Sequence, residues 1–253
     1  MRTPLVALTA LVMTALLGPT VMVAKLFGAK QGPKSIYAWA VRLWARSMNA
    51  AAGIRIRVHG KVSVDAAHGT VFVANHVSWY DIFALAAEVP WCSFVAKSEL
   101  RKIPLFGFAA ECVGIVFIDR ENRKSAFESY RVAAAEVQRG RAVIVCPEGT
   151  RGHDYHLRPF KKGPFVLAIA AQAPIVPTVV YGTREVMKKG SFRVRSGTVD
   201  LHFLEPVPTV GCDYDHRGEL MTTVWSRMAA ELRDRYGVTT SESSIALAGV
   251  RKE

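Results

Sequence analysis

The sequence predicts an α/β protein: a mixed, largely parallel sheet flanked by helices, preceded by an N-terminal membrane-associated helical motif. Three observations predict it. From residue 54 to 236, short runs rich in Val, Ile and Phe alternate with longer stretches of helical periodicity. Polar and charged residues cluster just after those runs, where an open sheet presents side chains at the carboxyl ends of its strands. Ahead of both, residues 3–24 (TPLVALTALVMTALLGPTVMVA) carry no charge. The expected organisation is a membrane-anchoring segment at 1–53, an α/β domain at 54–236 and a flexible tail at 237–253.

The apolar run is long enough to cross a bilayer core, which takes about 20 residues. A cleaved signal peptide is the competing reading, but its apolar stretch is usually only about 7–15 residues. Gly18-Pro19 allows a kink or a re-entrant hairpin as well as a simple span. Residues 1–64 hold nine basic residues and no acidic one, against 24 basic and 21 acidic in the remainder, so the excess charge is local. Basic residues on the C-terminal side of the run place the main domain in the cytoplasm. Residues 35–53 read as a helix with Arg42 and Arg46 beside Ile36, Trp39, Leu43 and Trp44. That composition suits a membrane interface, and it also suits a surface helix packed on the domain.

Strands are expected at IRIRVHG (54–60), TVFVA (70–74), SFVA, GIVFID, AVIVC and PIVPTVV. FRVRSG and TVDLHFLEP suggest a later hairpin. Helices are expected at 79–88, in KSAFESYRVAAAEVQRG with Gly140 as its C-cap, at 161–172, and in the long amphipathic stretch ending at Gly237. Cys92, Cys112, Cys146 and Cys212 have no CxxC or metal-ligand spacing, so neither a disulfide nor a metal site is expected.

Four clusters carry the candidate chemistry. In NHVSWYD (75–81), His76 and Asp81 follow the TVFVA strand. They fit a catalytic base with its orienting carboxylate; Ser78 and Asp81 equally fit a capping box opening a helix. In CPEGTR (146–151), Pro147 and Gly149 force a turn from which Glu148, Thr150 and Arg151 project. Arg120 ends GIVFIDR, and Lys97 follows SFVA. With Arg151 and Lys161, these cations would suit a phosphate.

Those blocks, in that order, resemble the lysophospholipid and glycerol-phosphate acyltransferase family. NHVSWYD resembles its N-H-x-x-x-x-D block, GIVFIDR its second, CPEGTR its third and APIVPTVV its fourth, while AKSEL and RPFKKGPF resemble flanking stretches. The resemblance covers roughly residues 55 to 205 and is strongest to the bacterial 1-acylglycerol-3-phosphate acyltransferase branch. Cys146 departs from the usual aromatic residue, and Gly152 from a common serine.

The resemblance implies transfer of a fatty acyl group from acyl-CoA or acyl carrier protein to a lysophospholipid hydroxyl, with membrane lipids as surroundings and no cofactor. It also implies the bacterial inner membrane as the location. His76 would be the base and Asp81 its partner. Arg120 and Arg151, with Lys97, would hold the acceptor phosphate; Glu148 would orient these cations or the acceptor's polar head, Thr150 would help bind the acceptor, and Gly149 and neighbouring amides would stabilise the oxyanion. PLFGFAAECVGI (104–115) fits the lining of an acyl groove or an ordinary core helix. An acyltransferase for another lysolipid or for glycerol 3-phosphate, a membrane-anchored hydrolase using the same pair, and a non-enzymatic anionic-lipid binder are the rivals. No nucleic-acid partner is expected, because the charge excess lies beside an apolar anchor and no recognition motif is present.

Overall fold

The computed structural model describes residues 1–62, 64, 68–119 and 123–240, with backbone only at 123, 124, 126 and 127. Arg120 and most of the expected tail, 241–253, lie outside the described residues.

Seven strands form one sheet: β1 (Ile54–Gly60), β2 (Thr70–Ala74), β3 (Cys92–Lys97), β4 (Val116–Ile118), β5 (Ala142–Val145), β6 (Ile175–Tyr181) and β7 (Gly197–Phe203). Their order is β1-β7-β6-β2-β5-β3-β4, parallel at every pair except β6–β7. The sheet is therefore mixed and largely parallel, as the strand–helix alternation predicts.

TVFVA explains the layering. Every residue of β2 is buried, and the two-residue period sends Val71 and Val73 to one face and Phe72 and Ala74 to the other. The first face packs against α5 (Arg123–Gln138), α6 (Gly163–Ala171) and α8 (Arg217–Tyr236). The second packs against α2 (Ile36–Ala52) and α3 (Tyr80–Glu88), with Val6 of α1 (Thr3–Leu26) joining the same cluster. Burying Val71, Phe72 and Val73 contributes roughly 1.5–3 kcal/mol each. Edge strand β1 instead exposes Arg55 and Arg57.

Three expectations change. Residues 192–196 of FRVRSG form no strand; β1 occupies the flank of β7 that a hairpin partner would need. The α1 helix is continuous, with Pro19 inside it and no hairpin at Gly18. Trp44 does not point to an interface: it turns inward against Phe83 and Phe106, and its indole N–H donates to Thr14 Oγ1 at 3.2 Å. Trp39 stays exposed.

Both ends of α1 rest on the same body. Arg2 N–H donates to Val194 O at 3.1 Å, and Thr3 Oγ1 to Phe192 O at 3.1 Å. At the far end Lys25, in the last turn, sits over the Phe108 ring, and beyond it Gln31 Nε2 donates to Cys112 O at 3.1 Å. Leu5, Leu8, Leu11 and Leu16 remain exposed, and the helix is long and apolar enough to cross a membrane.

Candidate active site

The site forms at the carboxyl ends of β2, β5 and β6. Buried Asn75 ties the first to the last: its Oδ1 accepts from Val180 N at 2.8 Å and its Nδ2 donates to Val180 O at 3.0 Å. His76 follows, with its backbone gripped by the turn after β5. Its N–H donates to Glu148 Oε1 at 3.0 Å, and its carbonyl accepts from Gly152 N at 2.7 Å. Backbone held on both sides leaves the imidazole little freedom to wander.

Asp81, wholly buried in the first turn of α3, meets only donors. Its Oδ2 accepts from His76 Nδ1 at 2.7 Å and from the N–H groups of Val77 and Ser78 at 2.8 Å each. Thr183 Oγ1, from α7 (Thr183–Val186), donates to Oδ1. The Nδ1–H tautomer follows from this arrangement, which leaves Nε2 as the proton acceptor.

The capping reading holds in part. Asp81 reaches back to the Ser78 N–H, but Ser78 Oγ accepts from Tyr80 N at 3.2 Å and donates to Met187 O at 2.7 Å. One carboxylate thus organises the helix entry and orients the histidine.

Glu148 lies behind His76. Its second oxygen accepts from Arg158 Nε at 2.8 Å, and Arg158 also donates to the Thr150 carbonyl. Burial pushes the Glu148 carboxyl above its usual range, with Arg158 and the His76 N–H pulling the other way. Gly149 adopts φ +76°, and its N–H is taken up in the turn, donating to Cys146 O at 3.1 Å. A Cβ there would lie 2.7 Å from Lys161 Cε, so Lys161 covers the turn.

Arg151 lies over the Trp79 ring, 5.0 Å from its centroid, and desolvation holds its pKa below the ordinary arginine value against the pull of Asp81. Lys97 ends β3 half-exposed and pairs with Glu99 at 2.5 Å.

His76, Lys97, Thr150 and Arg151 border one cavity of about 370 Å³; Glu148, Gly149 and Lys161 do not. Away from His76 the walls are apolar, drawn from α1, α2, α3, α4 (Phe106–Cys112), β3 and β4, with Val21, Trp44, Phe83, Phe106 and Val113 among them. The 104–115 stretch therefore serves both readings: it lines the cavity while burying Cys112 in a core cluster. A wider cleft of about 1230 Å³ lies towards the amino ends of β3–β5 around Trp91, Gly114 and Arg141, and no described site residue borders it. Among the described residues, no group of three or more His, Cys, Asp or Glu side chains is placed to hold a metal ion.

Sequence reasoning missed Arg158, Thr183 and Trp79. Arg158 opens the RPFKKGPF stretch, whose resemblance to a flanking segment gave it no partner or role, and Thr183 is 102 residues from the carboxylate it meets.

The acyltransferase family model matches residues 55–181. The chain is similar to 1-acyl-sn-glycerol-3-phosphate acyltransferase alpha of Homo sapiens, 35% identical over 184 residues, or 72% of this chain and 65% of that protein. The 1-acyl-sn-glycerol-3-phosphate acyltransferase of Saccharomyces cerevisiae is 31% identical over 208 residues, 80% of this chain and 68% of the yeast protein. The chain thus spans just under two thirds of the human relative's length. In fold it is similar to the 1-acyl-sn-glycerophosphate (LPA) acyltransferase PlsC from Thermotoga maritima, with a TM-score of 0.77, 24% identity, and coverage of 95% of this chain and 97% of that one.

Proposed function

The chain belongs to the acyltransferase family, and from that premise we propose that it moves a fatty acyl group from an acyl thioester to the free hydroxyl of 1-acylglycerol 3-phosphate, giving phosphatidic acid. The observation that carries this reading is the His76–Asp81 pair opening onto an apolar cavity with Arg151 at the same mouth. The named activity of the human and yeast relatives supports the acceptor.

His76 Nε2 takes the proton of the acceptor hydroxyl while its oxygen attacks the thioester carbonyl carbon. Asp81 holds the ring and stabilises the imidazolium as it forms. Collapse of the tetrahedral intermediate breaks the C–S bond, and the imidazolium returns its proton to the departing sulfur. A thiol with a pKa of about 8.5 leaves without strong acid assistance, so a base and its partner suffice. No serine nucleophile and no cofactor are needed; the donor is acyl-CoA or acyl carrier protein.

Arg151 meets the acceptor phosphate, with Lys97 and Arg120 as further cations. Glu148 acts through the His76 backbone and Arg158 rather than on the substrate. The apolar walls take the acyl chain. The membrane-facing element is α1. A helix whose two ends both rest on the domain cannot cross the bilayer and leave that domain on one side. It lies along the interface, with its exposed leucines in lipid and the domain on the cytoplasmic face.

The test is thiol release from oleoyl-CoA with and without lysophosphatidic acid, by wild type and His76→Ala. Lysolipid-dependent release with a diacyl product, reduced by ~10³ or more in the variant, is expected. Release without lysolipid would indicate a hydrolase. Release only with lysophosphatidylglycerol or glycerol 3-phosphate would reassign the acceptor.

A further inference from the structure

Residues 188–195, KKGSFRVR, take no part in the sheet or the active site, yet they are held firmly. Ser191 N donates to Lys188 O at 3.1 Å and Arg195 N to Val186 O at 3.0 Å. Val194, 2% exposed, is buried in the core, and its N–H donates to Thr3 Oγ1 at 3.0 Å. This fixed foot projects Phe192, whose side chain is left free: the residue is 83% exposed.

A single exposed phenyl is ordinary. Its surroundings are not. Lys188, Lys189, Arg193 and Arg195 flank it, with no acidic residue between Glu185 and Asp200. Lys188, Arg193 and Arg195 are exposed and Lys189 is half-buried. Next to Phe192 begins α1, whose exposed Leu5, Leu8 and Leu11 continue the apolar surface. The segment also stands at the active-site edge of the sheet, since Ser78 Oγ donates to Met187 O at 2.7 Å.

We propose that this loop is a second membrane contact, in which Lys188, Lys189, Arg193 and Arg195 meet the phosphates of anionic lipids while Phe192 enters the interface beside α1. The inference rests on the reading that α1 lies on a bilayer, and adds which lipids the surface selects. An acidic protein would match the cations too, but it gives no reason for an exposed phenyl beside the start of an apolar helix.

The experiment partitions the full chain onto vesicles of phosphatidylcholine alone, or with one third phosphatidylglycerol, at low and high salt. The variant carries Lys188→Gln, Lys189→Gln, Arg193→Gln and Arg195→Gln together. Each basic residue near an anionic surface contributes roughly a factor of five at low salt. Wild type is expected to prefer the anionic vesicles by ~100-fold or more, with high salt removing most of that preference. The variant should bind neutral vesicles as wild type does and lose the preference. Phe192→Ser should weaken binding to both vesicles by several-fold.

A variant that keeps the anionic preference overturns the proposal and gives the role to the basic residues of the first 64 positions. So does one that binds both vesicles normally but loses turnover only with a donor carried on an acidic protein. Partition needs no turnover, so failure here is distinct from failure of the acyltransfer reading.

Discussion

Asp81→Asn separates an orienting, charge-stabilising carboxylate from a mere helix cap. The amide oxygen can take over the three N–H donors now on Oδ2, and the Thr183 hydroxyl can turn to accept from the amide nitrogen. The fold should therefore survive, with a loss of about 1–2 kcal/mol from the weakened hydrogen bonds. The transition state loses more. Two unit charges about 4 Å apart attract by roughly 4 kcal/mol at an effective dielectric of about 20. His76 Nδ1 lies 2.7 Å from a carboxylate with no solvent exposure, so that figure applies to a fully formed imidazolium. Partial proton transfer in the transition state brings in half to all of it, a fall in kcat of ~30- to ~1000-fold. The assay is the initial rate of lysolipid-dependent thiol release at saturating substrates, beside a melting curve. KM for the lysolipid should stay within about threefold, because Asp81 does not border the cavity. A variant with nearly wild-type kcat and unchanged melting would show that Asp81 only caps α3 and that the histidine needs no partner.

Two further outcomes follow from the buried charges. Arg158→Met leaves Glu148 without its cation; as Arg158 is about a third exposed, the loss should be about 1–3 kcal/mol, a melting point lower by several degrees. A carboxyl whose folded pKa is raised has its stabilising contribution below the unfolded value, and loses it as pH rises through the folded one. The gap between wild type and variant should therefore narrow as pH falls towards about 4.5, and adding Glu148→Gln should restore part of the stability at neutral pH. On β7, towards the β1 edge of the sheet, His202 is held below its usual value by burial, with the His59 ring stacked 4.3 Å away, while Glu231 at 2.8 Å pulls upwards. The neutral ring satisfies both neighbours, Nδ1–H donating to Glu231 and Nε2 accepting from Tyr236 at 2.6 Å. Its stability contribution is present above about 6.5 and lost as pH falls through the folded value, so wild type should melt progressively earlier below that pH and His202→Gln should show a flatter slope, checked by melting curves across the range.

The apolar runs were sufficient to specify the sheet, because a strand buried on both faces must be apolar throughout and bounded by turns. The site was legible where its residues are close in the chain: His76 and Asp81 are five apart, and the turn after β5 gives itself away through Pro147 and Gly149. FRVRSG misled because alternating basic and apolar residues imitate a half-buried strand. Its partner was unreadable: Thr3, some 190 positions away, takes the Val194 N–H that a sheet neighbour would have taken. Trp44 misled for a similar reason, since an indole suits a membrane interface and an interior equally, and the nearby hydroxyl of Thr14 decided between them.

The sequence by itself determined the chemistry available and the elements that carry it, since backbone preference and hydrophobic period act over a few residues. Only the tertiary structure decided which groups meet. It set Arg158 against Glu148, Thr183 against Asp81 and Arg151 over Trp79, and it closed α1, α2 and α4 around a cavity that ends at His76. Those meetings arise because burial leaves no water to satisfy a carboxylate or a hydroxyl, so each must find a partner wherever the chain brings one.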